Sequence, residues 1–266
     1  MAIITISRGC CSRGKEVAEL VAKRLKYACI SREILLDASE IFHVSELKLR
    51  KAIHDVPSLI ERFTYGRERC LAYIEAALLQ FLSEDNIVYH GLAGHFLVRN
   101  IPNVLKVRIV ADMNERIRLE MERENVSAEE AEIMIRKNDD QRIKWSTYLY
   151  GVDTSDSSLY DLIINLKSLN VEDAADIICE AVKRKAFETN NESLATIRDI
   201  ALVKAAIMEI IPDSKVTASD GQITIKCKIG DVDTETFSSE IRKKALSVKG
   251  VKNAKVVFDH VVEFSE

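Results

Sequence analysis

Gly9-Cys10-Cys11-Ser12-Arg13-Gly14-Lys15 decides the reading of this chain. The stretch has the spacing G-x-x-x-x-G-K. It follows a run of β-branched and apolar residues, Ile3 to Ser7, that reads as a buried strand. It precedes a helix whose apolar face is marked by Val17, Leu20, Val21 and Leu25. A glycine-rich turn between a strand and a helix N-terminus aims consecutive backbone N–H groups at one point and adds the positive end of the helix dipole. Gly9, Cys10, Cys11, Ser12, Arg13 and Gly14 are therefore candidates to cradle phosphate, with Lys15 reaching the β- and γ-phosphates. Glu16 takes the position where this motif has Ser or Thr to touch magnesium, and is counted with the loop.

Outward from the loop, strand and helix patterns alternate. Further strands are expected at Tyr27 to Ile30, Asn86 to Tyr89, Val104 to Ala111 and Tyr160 to Asn165. Helices are expected from about Ser58 to Ser83, from Glu115 to Glu124, from a Ser127/Glu130 capping box to about Trp145, and from Val171 to Phe187. This alternation predicts an α/β domain, a P-loop three-layer fold around a five-stranded parallel sheet with the loop-bearing strand central.

The sequence turns polar at Glu188 to Ser193, where a domain boundary is expected, giving domains 1–188 and 193–266. Beyond it the pattern is helix, strand, strand, helix, strand. Pro212 stops the first helix, and Asp220-Gly221 joins the two strands as a hairpin turn. A small α+β domain follows from that order.

Composition sets limits on function. The 266 residues include 38 Lys and Arg against 42 Asp and Glu, a net charge of −4, which offers nucleic acid or anionic lipid no broad attraction. Six scattered cysteines without a C-x-x-C pair predict reduced thiols and neither a zinc site nor a disulfide framework. No stretch approaches the roughly 20 apolar residues of a membrane span, and the N-terminal residues read as a strand, so a cytoplasmic location is expected.

The ordered set of segments resembles the cytidylate kinase-like branch of the nucleoside monophosphate kinases. It comprises Ile4-Thr5-Ile6-Ser7-Arg8 through Gly14-Lys15, Ser31-Arg32-Glu33-Ile34-Leu35, Ile87-Val88-Tyr89-His90-Gly91, Glu115-Arg116-Ile117-Arg118, Ile135 to Arg142, and Tyr160 to Asn165. The resemblance implies transfer of the ATP γ-phosphoryl group, with Mg2+, to a monophosphate such as CMP or dCMP beneath an arginine-bearing helical lid. By matching position it assigns Lys15, Arg136 and Arg142 to catalysis. It assigns Arg32, Arg67, Arg69, Gly91, Asp139 and Asp140 to the acceptor. Arg116 falls in the helix leading to the lid, while Arg118 and Arg123, set among Glu115, Glu120, Glu122 and Glu124, read as a solvated charge ladder. His90 and Leu92 stand where the family carries Asp and Arg beside the base. Together with Glu16 they leave two further readings: a nucleotide-binding sensor or scaffold of weak activity, or a kinase of another small molecule. The segment Val216 to Ala254 resembles a BON domain, which implies a ligand, partner or self-association surface.

Overall fold

The structure is a computed structural model, and it describes residues 2–31, 33–54, 66–91, 94–99, 101, 103–212, 214–229 and 234–260. The chain divides into two compact units. The described parts of 1–33 and 85–189 make the first, and those of 34–52, 66–84 and 190–260 the second.

The first unit is built on β1 (Ile3–Arg8), β2 (Ala28–Ile30), β3 (Ile87–His90), β4 (Val104–Val110) and β5 (Leu162–Asn165), ordered β2-β3-β1-β4-β5. All four neighbouring pairs are parallel, with Ile4 opposite Val88 on one side and Leu105 on the other. The loop-bearing strand is central, as expected of a strand that ends in the phosphate loop, and its Ile3 and Ile4 are fully buried. Helix α1 (Gly14–Leu25) packs against α8 (Val171–Ala181), and Val17, Val21, Ala174 and Ile178 close one face of the sheet over Ile6, Val107 and Ile109. Burial of the Val and Ile side chains among these contributes about 1.5–3 kcal/mol each.

Three elements complete the site-bearing end of this unit. The short α5 (Gly94–Leu97) packs on β1, α6 (Met113–Glu124) is capped by Asp112, and α7 runs unbroken over Ala128–Tyr150. Both halves of the Ser127/Glu130 capping box form at the start of α7. The helix runs five residues past the expected Trp145, because Trp145 and Tyr150 pack against Phe96 and carry the helix on to Gly151, which ends it at φ +68°.

The second unit joins segments far apart in sequence. It holds α2 (Glu33–Phe42), α3 (Glu46–His54), α4 (Gly66–Leu82), α9 (Asn191–Ile207), α10 (Thr234–Leu246) and a sheet of β6 (Ser214–Ser219), β7 (Gln222–Ile229) and β8 (Asn253–His260). The hairpin β6–β7 is antiparallel and turns on Asp220 (φ +47°) and Gly221 (φ +72°), while β7 and β8 run parallel. Gly221 is required here twice over, since a Cβ would also lie 2.6 Å from the Gly250 carbonyl oxygen. Helix α4 packs along α9, with the Lys204 ammonium donating to Glu75 and the Tyr73 hydroxyl donating to Glu209 at 2.6 Å. No described helix is long and apolar enough to cross a membrane.

Candidate active site

The loop leaves β1 and is held down at its start. The Gly9 N–H donates to the Ile109 carbonyl at 3.2 Å, and the buried Ser12 hydroxyl lies 3.1 Å from the Gly9 carbonyl and 3.2 Å from that of Ile109. Cys11 (φ +54°) and Arg13 (φ +57°) are left-handed, which coils the chain tightly into α1. Arg13 caps α1 with backbone alone: its side chain takes no bond from the first turn, whose N–H groups can therefore meet an anion. Gly14 is needed because a Cβ would sit 2.7 Å from the Arg8 Cβ.

The loop's charged residues are engaged with one another. Arg13 donates to both carboxylate oxygens of Glu16 at 3.1 Å and once more at 2.6 Å. Lys15 is exposed and stands 3.6 Å from Glu19. These exposed pairs are worth no more than about 1 kcal/mol, so a phosphate can displace them.

Against Gly9 and Cys10 opens a cavity of about 550 Å3. Its lining includes Arg8, Arg108, Arg116, Arg123 and Arg142, with Asp139 as its carboxylate. Two of the arginines also brace the loop and its strand. Arg116 donates to the Cys10 carbonyl at 2.7 Å and to Asp139 at 2.6 Å, and the half-buried Arg142 donates to the Arg8 carbonyl. Arg123 bonds Glu120, itself fully buried, at 2.7 Å. Burial pulls the Arg142 guanidinium below its ordinary value, against the pull of Cys10 and Asp139. The hydrogen bond shared with Cys11 lowers the Cys10 thiol to about 7, with Arg142 and Arg123 helping. Cys11 is pushed up by the same bond, by burial and by Glu120.

The cavity wall also holds a buried aromatic network. The Tyr160 hydroxyl donates to the Thr154 carbonyl at 2.8 Å and accepts from Arg108 at 3.0 Å. His95 Nε2, 3.2 Å away, then donates to the same oxygen, leaving Nδ1 as a buried acceptor without a partner among the described residues. A second proton would land on Nδ1 in that dry setting beside Arg108, which drives the His95 value down to about 3.

A second recess, of about 500 Å3, is lined by Arg13, Asp112, Asn114, Lys167 and Asn170 among others, and Ala111 lines both. The loop thus lies between two recesses of one unit.

Of the residues singled out in the sequence, Gly9, Cys10, Gly91, Asp139 and Arg142 line the cavity. Cys11, Ser12, Arg13, Gly14, Lys15 and Glu16 form the loop and the first turn of α1. Asp140 is exposed beside Asp139. Arg136 is exposed and bonded to Glu132 at 2.6 Å, away from the cavity lining. Arg69 lies on α4 in the second unit, 3.9 Å from Glu209. Arg32, Leu92 and the Arg67 side chain lie outside the described residues. Arg118 keeps to the surface with Glu115 and Glu122, as read, and Arg123 is equally exposed but also lines the cavity. Arg8, Arg108, Arg123, His95 and Tyr160 were not marked by the sequence reading. For Arg123 the signal was the spacing Arg116, Glu120, Arg123, which puts three polar residues on one helix face.

A phosphate loop between the central strand of a parallel five-stranded sheet and a helix, with an arginine-lined cavity against it, defines a P-loop kinase fold. The chain belongs to the cytidylate kinase-like family, whose model matches residues 3–168. It is 26% identical over 171 residues to the cytidylate kinase of Sulfolobus acidocaldarius, covering 64% of this chain and 87% of that protein. It is 27% identical over 191 residues to the cytidylate kinase of Archaeoglobus fulgidus, covering 71% of this chain and 99% of that protein. An uncharacterized protein from Eubacterium ventriosum has a crystal structure that matches with a TM-score of 0.53 at 21% identity, covering 69% of this chain and all of that one. This last likeness concerns the fold.

Proposed function

We propose that the chain transfers the γ-phosphoryl group of ATP to a small phosphorylated acceptor, with CMP or dCMP the first candidate. One observation carries the reading: five arginines and one aspartate line the cavity that opens on the phosphate loop. Phosphoryl transfer asks a protein mainly to position two anions and to spread positive charge over the group in flight. Guanidinium suits both tasks, being permanently charged and able to grip phosphate through paired hydrogen bonds.

In this reading the N–H groups of the loop and Lys15 hold the donor phosphates, and the recess at Arg13 and Asn170 takes the rest of the donor. Arg142 and Arg123 face the transferring group, Arg116 fixes the loop, and Asp139 orients Arg116. Gly91 and Asp140 belong to the acceptor side, to which Arg32, Arg67 and Arg69 are assigned by the resemblance alone. Arg136 joins only if it leaves Glu132. Magnesium would supply charge neutralisation between the β- and γ-phosphates. The loop fits a triphosphate, but in place of a hydroxyl ligand it offers the Glu16 carboxylate, which Arg13 now occupies. The setting is the cytoplasm, where ATP is plentiful, and the segment 193–266 would serve as a ligand, partner or self-association module.

The Arg13–Glu16 pair favours a second reading, a nucleotide sensor that binds without turning over. A coupled assay for ADP release separates the two, run with ATP and Mg2+ plus CMP, dCMP, UMP, AMP or no acceptor. Turnover with CMP or dCMP well above the no-acceptor rate supports the kinase. Bound ATP without turnover on any of these acceptors overturns CMP and dCMP and leaves the sensor or a kinase of another small molecule.

A further inference from the structure

Adjacent cysteines on a strand point to opposite faces, but Cys10 and Cys11 do not. The left-handed backbone at Cys11 turns its side chain back, and the two Sγ atoms come within 3.4 Å. A carboxylate from the distant α6 completes the group: Cys11 Sγ lies 2.7 Å from Glu120 Oε2. All three donor atoms fall within 4.8 Å of one another.

We propose that Cys10, Cys11 and Glu120 bind a thiophilic divalent cation of the Zn2+ class. Two thiolates and one carboxylate form a three-ligand set that such an ion accepts while keeping a fourth position open. Zinc–sulfur bonds of about 2.3 Å in a tetrahedron set two sulfurs about 3.8 Å apart, and a sulfur and a carboxylate oxygen about 3.5 Å apart. The gaps of 3.4 and 2.7 Å need widening by less than about 1 Å to admit the ion.

The surroundings support the same ligand. Glu120 is fully buried, and its other oxygen, Oε1, accepts from Arg123 at 2.7 Å, which aims Oε2 at the sulfurs as an outer partner aims a metal ligand. Arg123 also approaches Cys11 Sγ at 3.6 Å. On binding, both thiol protons pass to solvent. Three negative ligands, a divalent ion and Arg123 then sum to no net charge, which suits the buried Cys10 and Glu120. Cys10 lines the cavity, so the fourth position opens toward it and takes water or an anion. The ion would tie the phosphate loop to α6 through side chains as Arg116 does through the backbone.

A bond between the two sulfurs is the competing chemistry, and the backbone disfavours it. Neighbouring Cα atoms across a trans peptide stand about 3.8 Å apart, short of the roughly 4.4 Å at which disulfides begin.

The test uses the full chain, reduced and stripped of metal, titrated with Co2+ as the probe. Thiolate-to-cobalt charge-transfer absorption and the visible bands of a tetrahedral site are expected to saturate at one ion per chain and to disappear as Zn2+ is added. Cys10→Ser and Cys11→Ser are each expected to weaken Co2+ binding at least about tenfold, while Cys29→Ser, at an exposed thiol outside the cluster, leaves it unchanged. Glu120→Gln is expected to weaken it similarly. A thermal melt accompanies that variant, and the cysteine variants decide the question if it does not fold. Absence of the charge-transfer band at stoichiometric Co2+, or its persistence in both cysteine variants, overturns the site. So does a reduced chain that takes up no metal but loses two hydrogens to a Cys10–Cys11 disulfide on exposure to peroxide.

Discussion

Arg116 on α6 donates to the carbonyl of Cys10 at 2.7 Å, so a helix more than a hundred residues downstream clamps the backbone of the phosphate loop. With its other end on Asp139, this side chain joins the loop, α6 and α7. Arg116→Met leaves a carbonyl and a carboxylate without their donor. A loss of about 1–3 kcal/mol in a urea melt is expected, with weaker ATP binding by titration. A variant as stable as the parent and equally tight for ATP would refute the clamp.

Lys15 sets the reach of the loop. Lys15→Ala removes a charge-assisted hydrogen bond worth about 1.5–3 kcal/mol, a roughly tenfold to hundredfold loss of ATP affinity. Unchanged affinity in calorimetry would sink the assignment of the phosphate loop itself.

Glu16→Thr restores a hydroxyl at the magnesium position and frees Arg13 from its partner. A gain in kcat of several-fold to about tenfold at saturating Mg2+ is expected, about 1 kcal/mol off the barrier. A fall in rate would instead make the carboxylate part of the native arrangement.

Arg142 and Arg136 share α7 but not a face. Six positions turn a helix through about 600°, roughly 240° beyond a full turn. Arg142→Ala is expected to lower kcat by about a hundredfold or more. Arg136→Ala, at an exposed ion pair, is expected to change it by less than about threefold. Equal losses would mean that Arg136 swings inward during turnover.

His95 makes stability depend on pH. Its folded value, about 3, lies below the ordinary 6.5, so the unfolded chain binds the proton more readily between those limits. Its contribution is complete above pH 6.5 and is lost progressively as pH falls toward 3. About 2 kcal/mol should disappear between pH 7 and pH 5 in denaturant melts, and His95→Asn should flatten that slope. A variant with the parent's slope would exclude His95 as the cause.

The core of the first unit was legible because each of its signals is local. The buried run Ile3–Arg8, the glycine spacing and the Ser127/Glu130 box each fix a short stretch of backbone unaided. The cavity was legible only in part. Arg123 sits among acidic residues that in sequence look the same as those beside Arg118; what separates them is which face of α6 meets the loop. Arg108 and His95 fall in apolar stretches without a motif, and Tyr160 unites them only once β4, α5 and the segment before β5 converge. The Cys10–Cys11–Glu120 group joins residues 109 positions apart, which no cysteine spacing can announce. The packing of α4 on α9 was missed for the same reason: the polar stretch at 188–193 marks a break in the chain, not the partner of a helix made long before it.

That pairing sets an order of events during synthesis. Tyr73 and Glu75 leave the ribosome more than a hundred residues before the Glu209 and Lys204 that receive them. Domains fold as units as the chain emerges, N-terminal parts first. Here the second unit is not complete until α9 is made, and the side of α4 that α9 covers must wait for it. A nascent chain stalled or cut near residue 190 would present that side to chaperones or to other copies of itself. Helix α9 and the sheet that follows it therefore work as the late half of a domain begun early, and a chain cut before α9 would be felt first as aggregation.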